Sequence, residues 1–381
     1  MKSVLTLTLS LLLALSAFSQ NYITQAKLPK EKEWGYINLD GKFIIDPQYR
    51  QCFPFSDGFA PIVEKKTSYF IDLKGKKLET EIDNFVLFNV VGTGDKGFSD
   101  GMVSVAVDHK WGYMNTKGEL VVKLKYNKAY PFNSGFGITF LEGGHFFVID
   151  KNGVETEIIG ATACKKFTEN LAPFKNSEGL YGFIGTDAKV AIKPQFRRVG
   201  YFINGLAWAK SIDNTFGFIN KTGEWVVKPK FKKVGYFNDG LAWARTMDNK
   251  IGFINKIGEW VIEPKFIAVK AFDNMSGIAL VKIEDKWTYI DKKGETLAIR
   301  PEQEILRPFK NGIAKGVLNG KIGFYDETGE WVIDPKYDAL RAFVNGYAAA
   351  KVDQKWGVID TEGNWIIKPT FGGVKNFELA E

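Results

Sequence analysis

The chain has 381 residues, among them 31 Phe, 14 Tyr, 10 Trp, 39 Gly and 13 Pro, but only two Cys. A 45% hydrophobic and 25% charged composition excludes intrinsic disorder, and two Cys exclude a disulfide-dense scaffold. Two His leave little for a His-rich metal site, and a net charge of +7 favours an acidic partner over a basic one.

The first nineteen residues read as an address. Lys2 is their only charge, Leu5 to Leu15 is a short apolar run, and Ala17-Phe18-Ser19 has the small-x-small form of a signal-peptidase site. The run is too short to span a bilayer comfortably, and no Cys follows it to accept a lipid. The expectation is a signal peptide over 1–19, a lead-in over 20–33, and an exported chain in the periplasm or outside the cell. No transmembrane segment is expected after cleavage.

From residue 34 onward an internal repeat dominates. Ten units start at Trp34, Ser68, Trp111, Phe146, Tyr181, Phe216, Ile251, Trp287, Ile322 and Trp356, and run to 381. Their spacing is 34 to 36 residues except in the second, which carries an insertion around Val90 to Gly97. Counting the starter as zero, a turn Gly recurs at offset seven (Gly41, Gly118, Gly223, Gly258), with Ala188 once in its place. Pro recurs at offset thirteen (Pro47, Pro194, Pro229, Pro264, Pro335, Pro369), and a landmark Phe, such as Phe237 or Phe272, marks the connector of every unit. The units starting at Ser68 and Phe146 lack both the Trp-Gly and the Pro.

Within 241–275, Leu241 to Arg245, Ile251 to Asn255 and Glu259 to Glu263 read as strands separated by turns, with Pro264 at a strand end. No segment sustains a helical period. The fold class is therefore all-β: about ten three-stranded antiparallel meanders, each with a connector, stacked to share a continuous core. An open superhelical array is favoured over a closed β-propeller. Propeller blades typically carry four strands and number 4–8, and no spare strand is visible to latch a ring.

These residues resemble the Trp-Gly repeat family, the WG-repeat proteins of bacteria, over 34–377. The shared pieces are Trp-Gly-Tyr/Phe-Ile-Asn/Asp, then Gly-x-x-Val/Ile-Ile/Val-x-Pro-x-Phe/Tyr, then Phe-x-x-Gly-x-Ala. The resemblance implies β-rich repeats and little chemistry, because the family's function is largely undefined.

Candidate binding residues follow from the repeat phase. Trp225, Trp260, Trp331 and Trp365 share offset nine, a position that elsewhere holds Lys77, Glu155 and Thr296, which points to solvent contact and a ladder for sugar rings. Lys228, Lys230, Lys232 and Lys233 form the densest basic cluster, suited to an acidic glycan or protein face or to blunting a sheet edge. Asp57, Asp100 and Asp239 precede turn Gly and are read as bonding their own turns. No nucleophile elbow, metal-ligand cluster or phosphate-cradling loop is present, so catalytic residues, metal and cofactor are all expected to be none. Cys52 and Cys164 share offset eighteen in units three apart, too distant for a disulfide.

The expected function is a non-catalytic, exported scaffold for a cell-envelope glycan or protein, acting as a monomer, with no nucleic-acid partner. The alternatives are an envelope hydrolase or other enzyme, marked by a unique reactive residue outside the repeat phase, and a purely structural spacer.

Overall fold

The computed structural model describes residues 22–65, 67–87, 97–300, 303 and 305–379. The signal-peptide residues and most of the insertion near Val90 lie outside the described residues. The described chain is all β: ten small antiparallel sheets with no helix among them.

One sheet shows the plan. Lys233–Val234, Ala242–Arg245, Ile251–Ile254 and Trp260–Phe266 pair in that order. The last three are the strands legible in the sequence. The first lies inside the connector and adds a fourth, two-residue strand, so most sheets have four strands rather than three. Each sequence unit thus straddles two sheets, giving its starter and Trp strands to one and its connector strands to the next.

Turns between the third and fourth strands are set by the Asn or Asp at offset four. Asn255 Oδ1 accepts from the amides of Ile257 and Glu259 at 3.1 and 3.0 Å. Asp291, Asp326 and Asp360 do the same two-amide work in their units. This Asx turn explains why Asn and Asp alternate there.

The Gly of Trp-Gly has a different cause, which is space. In the pairing of Ile251–Ile254 with Trp260–Phe266 the register shifts, because the fourth strand bulges around Pro264. A Cβ on Gly252 would sit 2.3 Å from the Ile262 carbonyl oxygen and 2.8 Å from Pro264 N. Gly35, Gly112, Gly182, Gly217, Gly323 and Gly357 meet the same backbone carbonyl at 2.2 to 2.4 Å. The units with Tyr69, Phe147 or Thr288 at that offset lack the long bulged strand. Their fourth element is a single bridge at Lys77, or the short strands Glu155–Glu157 and Thr296–Leu297.

The core lies between sheets. Phe218, Val227 and Phe231 of one sheet pack with Val234, Ala242, Ala244 and Ile254 of the next. The landmark Phe crosses this gap to the aromatic two residues after the preceding starter: Phe253–Phe272 at 4.7 Å, Phe183–Phe202 at 4.8 Å, and Tyr113–Phe132 at 4.8 Å. Phe237 meets Phe218 in a tilted contact at 4.5 Å but is only half-buried.

The ends of the array meet. Tyr22–Lys27 pairs with Trp34–Asn38 on one side, and with Gly373–Val374 and Glu378–Leu379 on the other. Tyr22–Lys27, in the lead-in, is the latching strand that the expected open array lacks, so a closed arrangement replaces the open one. The resulting interface, with Ala26, Ile37, Val358, Ile367, Phe371, Val374 and Phe377, has the composition of its counterparts. Ten sheets share ten such clusters among the described residues, where an open row would have one fewer. The sheets therefore form a closed circuit of neighbours.

The turn carboxylates link this circuit. Asp57 accepts from the Gly101 amide at 2.7 Å and Asp100 from the Gly135 amide at 2.8 Å, so each bonds the next unit's turn rather than its own. Asp239 instead forms an ion pair with Lys292. Asp273 is buried and receives the Asn311 and Gly312 amides at 2.7 and 2.9 Å, plus the Ser276 amide and hydroxyl. Burial alone would raise its pKa, but these hydrogen bonds outweigh burial and hold it below the usual carboxylate value. Its stabilisation is complete above the unfolded-state pKa and is lost as pH falls through the lower folded-state value. Asp273→Asn is expected to cost about 2 kcal/mol at pH 7. In urea unfolding, the gap from wild type should close below about pH 4; a gap independent of pH would exclude the charged bond.

Cys52 and Cys164 belong to separate interfaces and are free thiols. Burial pushes Cys52 up to about 12, against the opposing pull of Tyr36 and Lys375, and raises Cys164 further. Denaturing, non-reducing titration is expected to count two thiols, with neither reacting rapidly in the folded chain at pH 8.

Candidate binding surface

The four offset-nine indoles are half-buried rather than displayed. Trp225 stands edge-on to Phe196 of the preceding sheet, with centroids 5.4 Å apart and an interplanar angle of 90°. Trp260 meets Phe231 at 5.4 Å and Trp365 meets Tyr337 at 5.6 Å in the same way. Trp331 packs on Tyr325 at 5.7 Å and carries the Arg300 guanidinium 4.6 Å from its centroid. Such edge-to-face pairs contribute about 0.5–1.5 kcal/mol beyond burial, so these rings act first as mortar between sheets.

The lysines point the other way. Along Trp225–Phe231, Trp225, Val227, Pro229 and Phe231 turn toward the core, while Val226, Lys228 and Lys230 are exposed. Trp and Lys therefore occupy opposite faces of one strand and do not build a single site. Lys230 lies 5.3 Å from the Phe231 centroid, Lys232 donates to Asn249 Oδ1 at 2.7 Å, and Lys233 faces Arg245 across the ladder. The position of Lys228 is held by Glu263 and Asp334 in other units, so the positive patch is local and not a stripe around the circuit.

Among several concave places on the described residues, two are lined by clustered charged side chains. One is a cleft of about 910 Å³ beside Lys270, Asp285, Lys286, Trp287, Gln303 and Arg307. It lies in the unit with Thr288 for Gly, beside the two-residue strand Thr296–Leu297. The other is a pocket at the seam of the chain ends.

Sequence reasoning passed over a third feature, the cations at offset nineteen: Lys165, Lys270, Arg341 and Lys375, with Arg307 one place later in its unit. The first four each follow a two-residue strand, whereas Arg307 lies in the unit whose sheet lacks that strand. Aligning the units by that offset would have revealed them. Burial and the neighbouring Arg198 lower the Lys165 pKa.

A closed circuit of antiparallel meanders with a bulged fourth strand defines a β-repeat protein. The chain belongs to the family described as WG containing repeat, whose model matches residues 34–66, 111–143, 181–215, 216–250, 251–287, 322–356 and 356–378. The stretches it passes over contain the three units without the crowded Gly. No curated protein matches the chain. Among solved structures, it is similar to a eukaryotic initiation factor at 12% identity and a TM-score of 0.47, covering 95% of this chain and 99% of that one. It is also similar to BamB from Moraxella catarrhalis at 14% identity and a TM-score of 0.35, covering 73% and 94%.

Proposed function

We propose that the protein is a non-catalytic scaffold, exported to the bacterial cell envelope, that binds a glycan polymer or a protein there. The observation that carries this reading is the employment of the carboxylates. Asp57, Asp100, Glu169 and Asp273 bond the next unit's turn, and the offset-four Asp residues cap their own. A glycoside hydrolase typically needs a carboxylate pair free to meet substrate, whereas these are copies of one structural device. The apolar run of residues 5–15 and the small residues before Gln20 support export.

The test has two arms. Mass spectrometry of the protein from its native host is expected to find an N-terminus near Gln20; intact Met1 in the cytosolic fraction would sink the export reading. Cosedimentation with purified cell-wall polysaccharide, and retention on immobilised envelope proteins, are expected to show saturable binding to one of the two. Failure of both favours a spacer, and hydrolysis of the polysaccharide would favour an enzyme.

A further inference from the structure

At the seam where Tyr22–Lys27 meets the strands of residues 373–379 lies an open pocket of about 440 Å³, within the size range of small-ligand sites. Trp34, Arg50, Cys52, Arg341, Lys375 and Glu378 line it. They come from widely separated parts of the chain. Arg341 follows the first strand of the last sheet, Lys375 and Trp34 belong to the sheet completed by both chain ends, and Arg50 and Cys52 lead into the next.

Three cations thus converge on a pocket with a single carboxylate. Among the described residues, none of Arg50, Arg341 and Lys375 forms a salt bridge. Aromatic rings hold Arg341 and Lys375 instead, and Arg50 is exposed. The ammonium groups of Lys375 and Lys27 lie 5.1 and 5.3 Å from the Trp34 centroid, and the Arg341 guanidinium lies 5.3 Å from that of Trp356. A ring quadrupole attracts a cation without cancelling its charge, so the positive field stays available to a visitor. Arg341 Nε is also buried with no hydrogen-bond partner, a donor left unsatisfied by the protein itself. Burial raises the pKa of Glu378, so the one acid here keeps its proton to a higher pH than an exposed carboxyl. The field extends to the neighbouring sheet, where burial and then Arg307 and Arg341 lower the pKa of Lys315.

We infer that this pocket binds an oxyanion, a phosphate or a carboxylate carried on a small molecule or sugar unit, and that the bound anion ties the two chain ends together. The guanidinium of Arg341 supplies directional donors and Lys375 a mobile point charge, the combination that oxyanions take. The site goes beyond the scaffold reading and does not rest on it.

Melting of the full chain in chloride buffer at constant ionic strength is followed against inorganic phosphate and, separately, glucuronate. A ligand bound only by the folded state raises the melting temperature by mass action. The expected result is a saturable rise with at least one of the two, and one anion per chain by calorimetric titration. Lys375→Gln and Arg341→Gln are each expected to weaken the apparent affinity about tenfold or more, the loss of one charge-assisted hydrogen bond. Lys230→Gln, outside the pocket, is expected to leave it unchanged. Lys375 is exposed, so its variant carries the test should Arg341→Gln fail to fold. A response to phosphate alone assigns a phosphoryl group, and to glucuronate alone a carboxylated sugar. No saturable rise with either, full affinity in the seam variants, or an equal loss in Lys230→Gln overturns the site.

Discussion

Removing residues 22–27 is expected to open the circuit and cost the protein on the order of 5 kcal/mol or more. The segment is the second strand of its sheet, so its loss unpairs Trp34–Asn38 on one side and Gly373–Val374 on the other. Ile23, Thr24, Gln25 and Ala26 are all buried. A buried aliphatic side chain contributes about 1.5–3 kcal/mol, and each ladder hydrogen bond about 1 kcal/mol. Thr24 also donates to the Asn376 carbonyl at 2.8 Å, and the amide of Lys375 donates to Gln25 at 2.9 Å. Scattering should show a larger radius for the deletion variant. Limited proteolysis should begin near residues 34–49 and 365–379, with the opposite units protected, because repeat arrays lose stability locally. An unchanged radius and melting temperature would mean that the ends do not hold the array.

Gly252→Ala is expected to destabilise by about 3 kcal/mol, at the upper end of overpacking effects. The added methyl would stand 2.3 Å from one backbone atom, Ile262 O, and 2.8 Å from both Pro264 N and a ring carbon of Trp260. A flexible side chain could step aside; a backbone carbonyl in a bulged strand cannot without giving up its register. Thr288 holds the same offset where no such strand crosses, so Thr288→Ala should change stability by less than about 1 kcal/mol. Chemical denaturation of both variants decides the matter. Comparable costs would remove crowding as the reason for the Trp-Gly pair.

Three strands per unit and their turns could be read from sequence because each carries a periodic mark: the starter aromatic, the offset-four Asn or Asp, and the offset-seven Gly. The fourth strand could not. Lys233–Val234 is two residues long, too short for any alternation, and its pairing partner is fixed by tertiary structure. Closure was hidden for a related reason. Tyr22–Lys27 is buried at four successive positions, so it shows no alternating face, and it precedes the first recognisable starter.

The placing of the Trp residues shows how a correct alignment can mislead. Lys77, Glu155 and Thr296 at offset nine pointed to solvent. All three occur in units that lack the crowded Gly and the long bulged strand, so their offset nine is a different place in space. Within the other units that position holds an aromatic or aliphatic residue; the four Trp, Phe43 and Leu120 are half-buried there, whereas Val190 is exposed. The turn carboxylates show the same limit. Whether Asp57 bonds its own turn or the next one depends on how sheets stack, and sequence spacing is blind to that.

Because every sequence unit lends strands to two sheets, the chain has no privileged starting point. Tyr22–Lys27 and Gly373–Val374, far apart in sequence, pair as neighbouring strands of one sheet, and the interface there is packed like its counterparts in the circuit. Joining residue 379 to residue 22 and cutting at another turn would leave each sheet with the strands it has now, merely dealt out in a different order. The same logic applies to growth. Gain or loss of one full repeat would leave the same complementary strands at the two ends, Tyr22–Lys27 at one and its partners Gly373–Val374 and Glu378–Leu379 at the other.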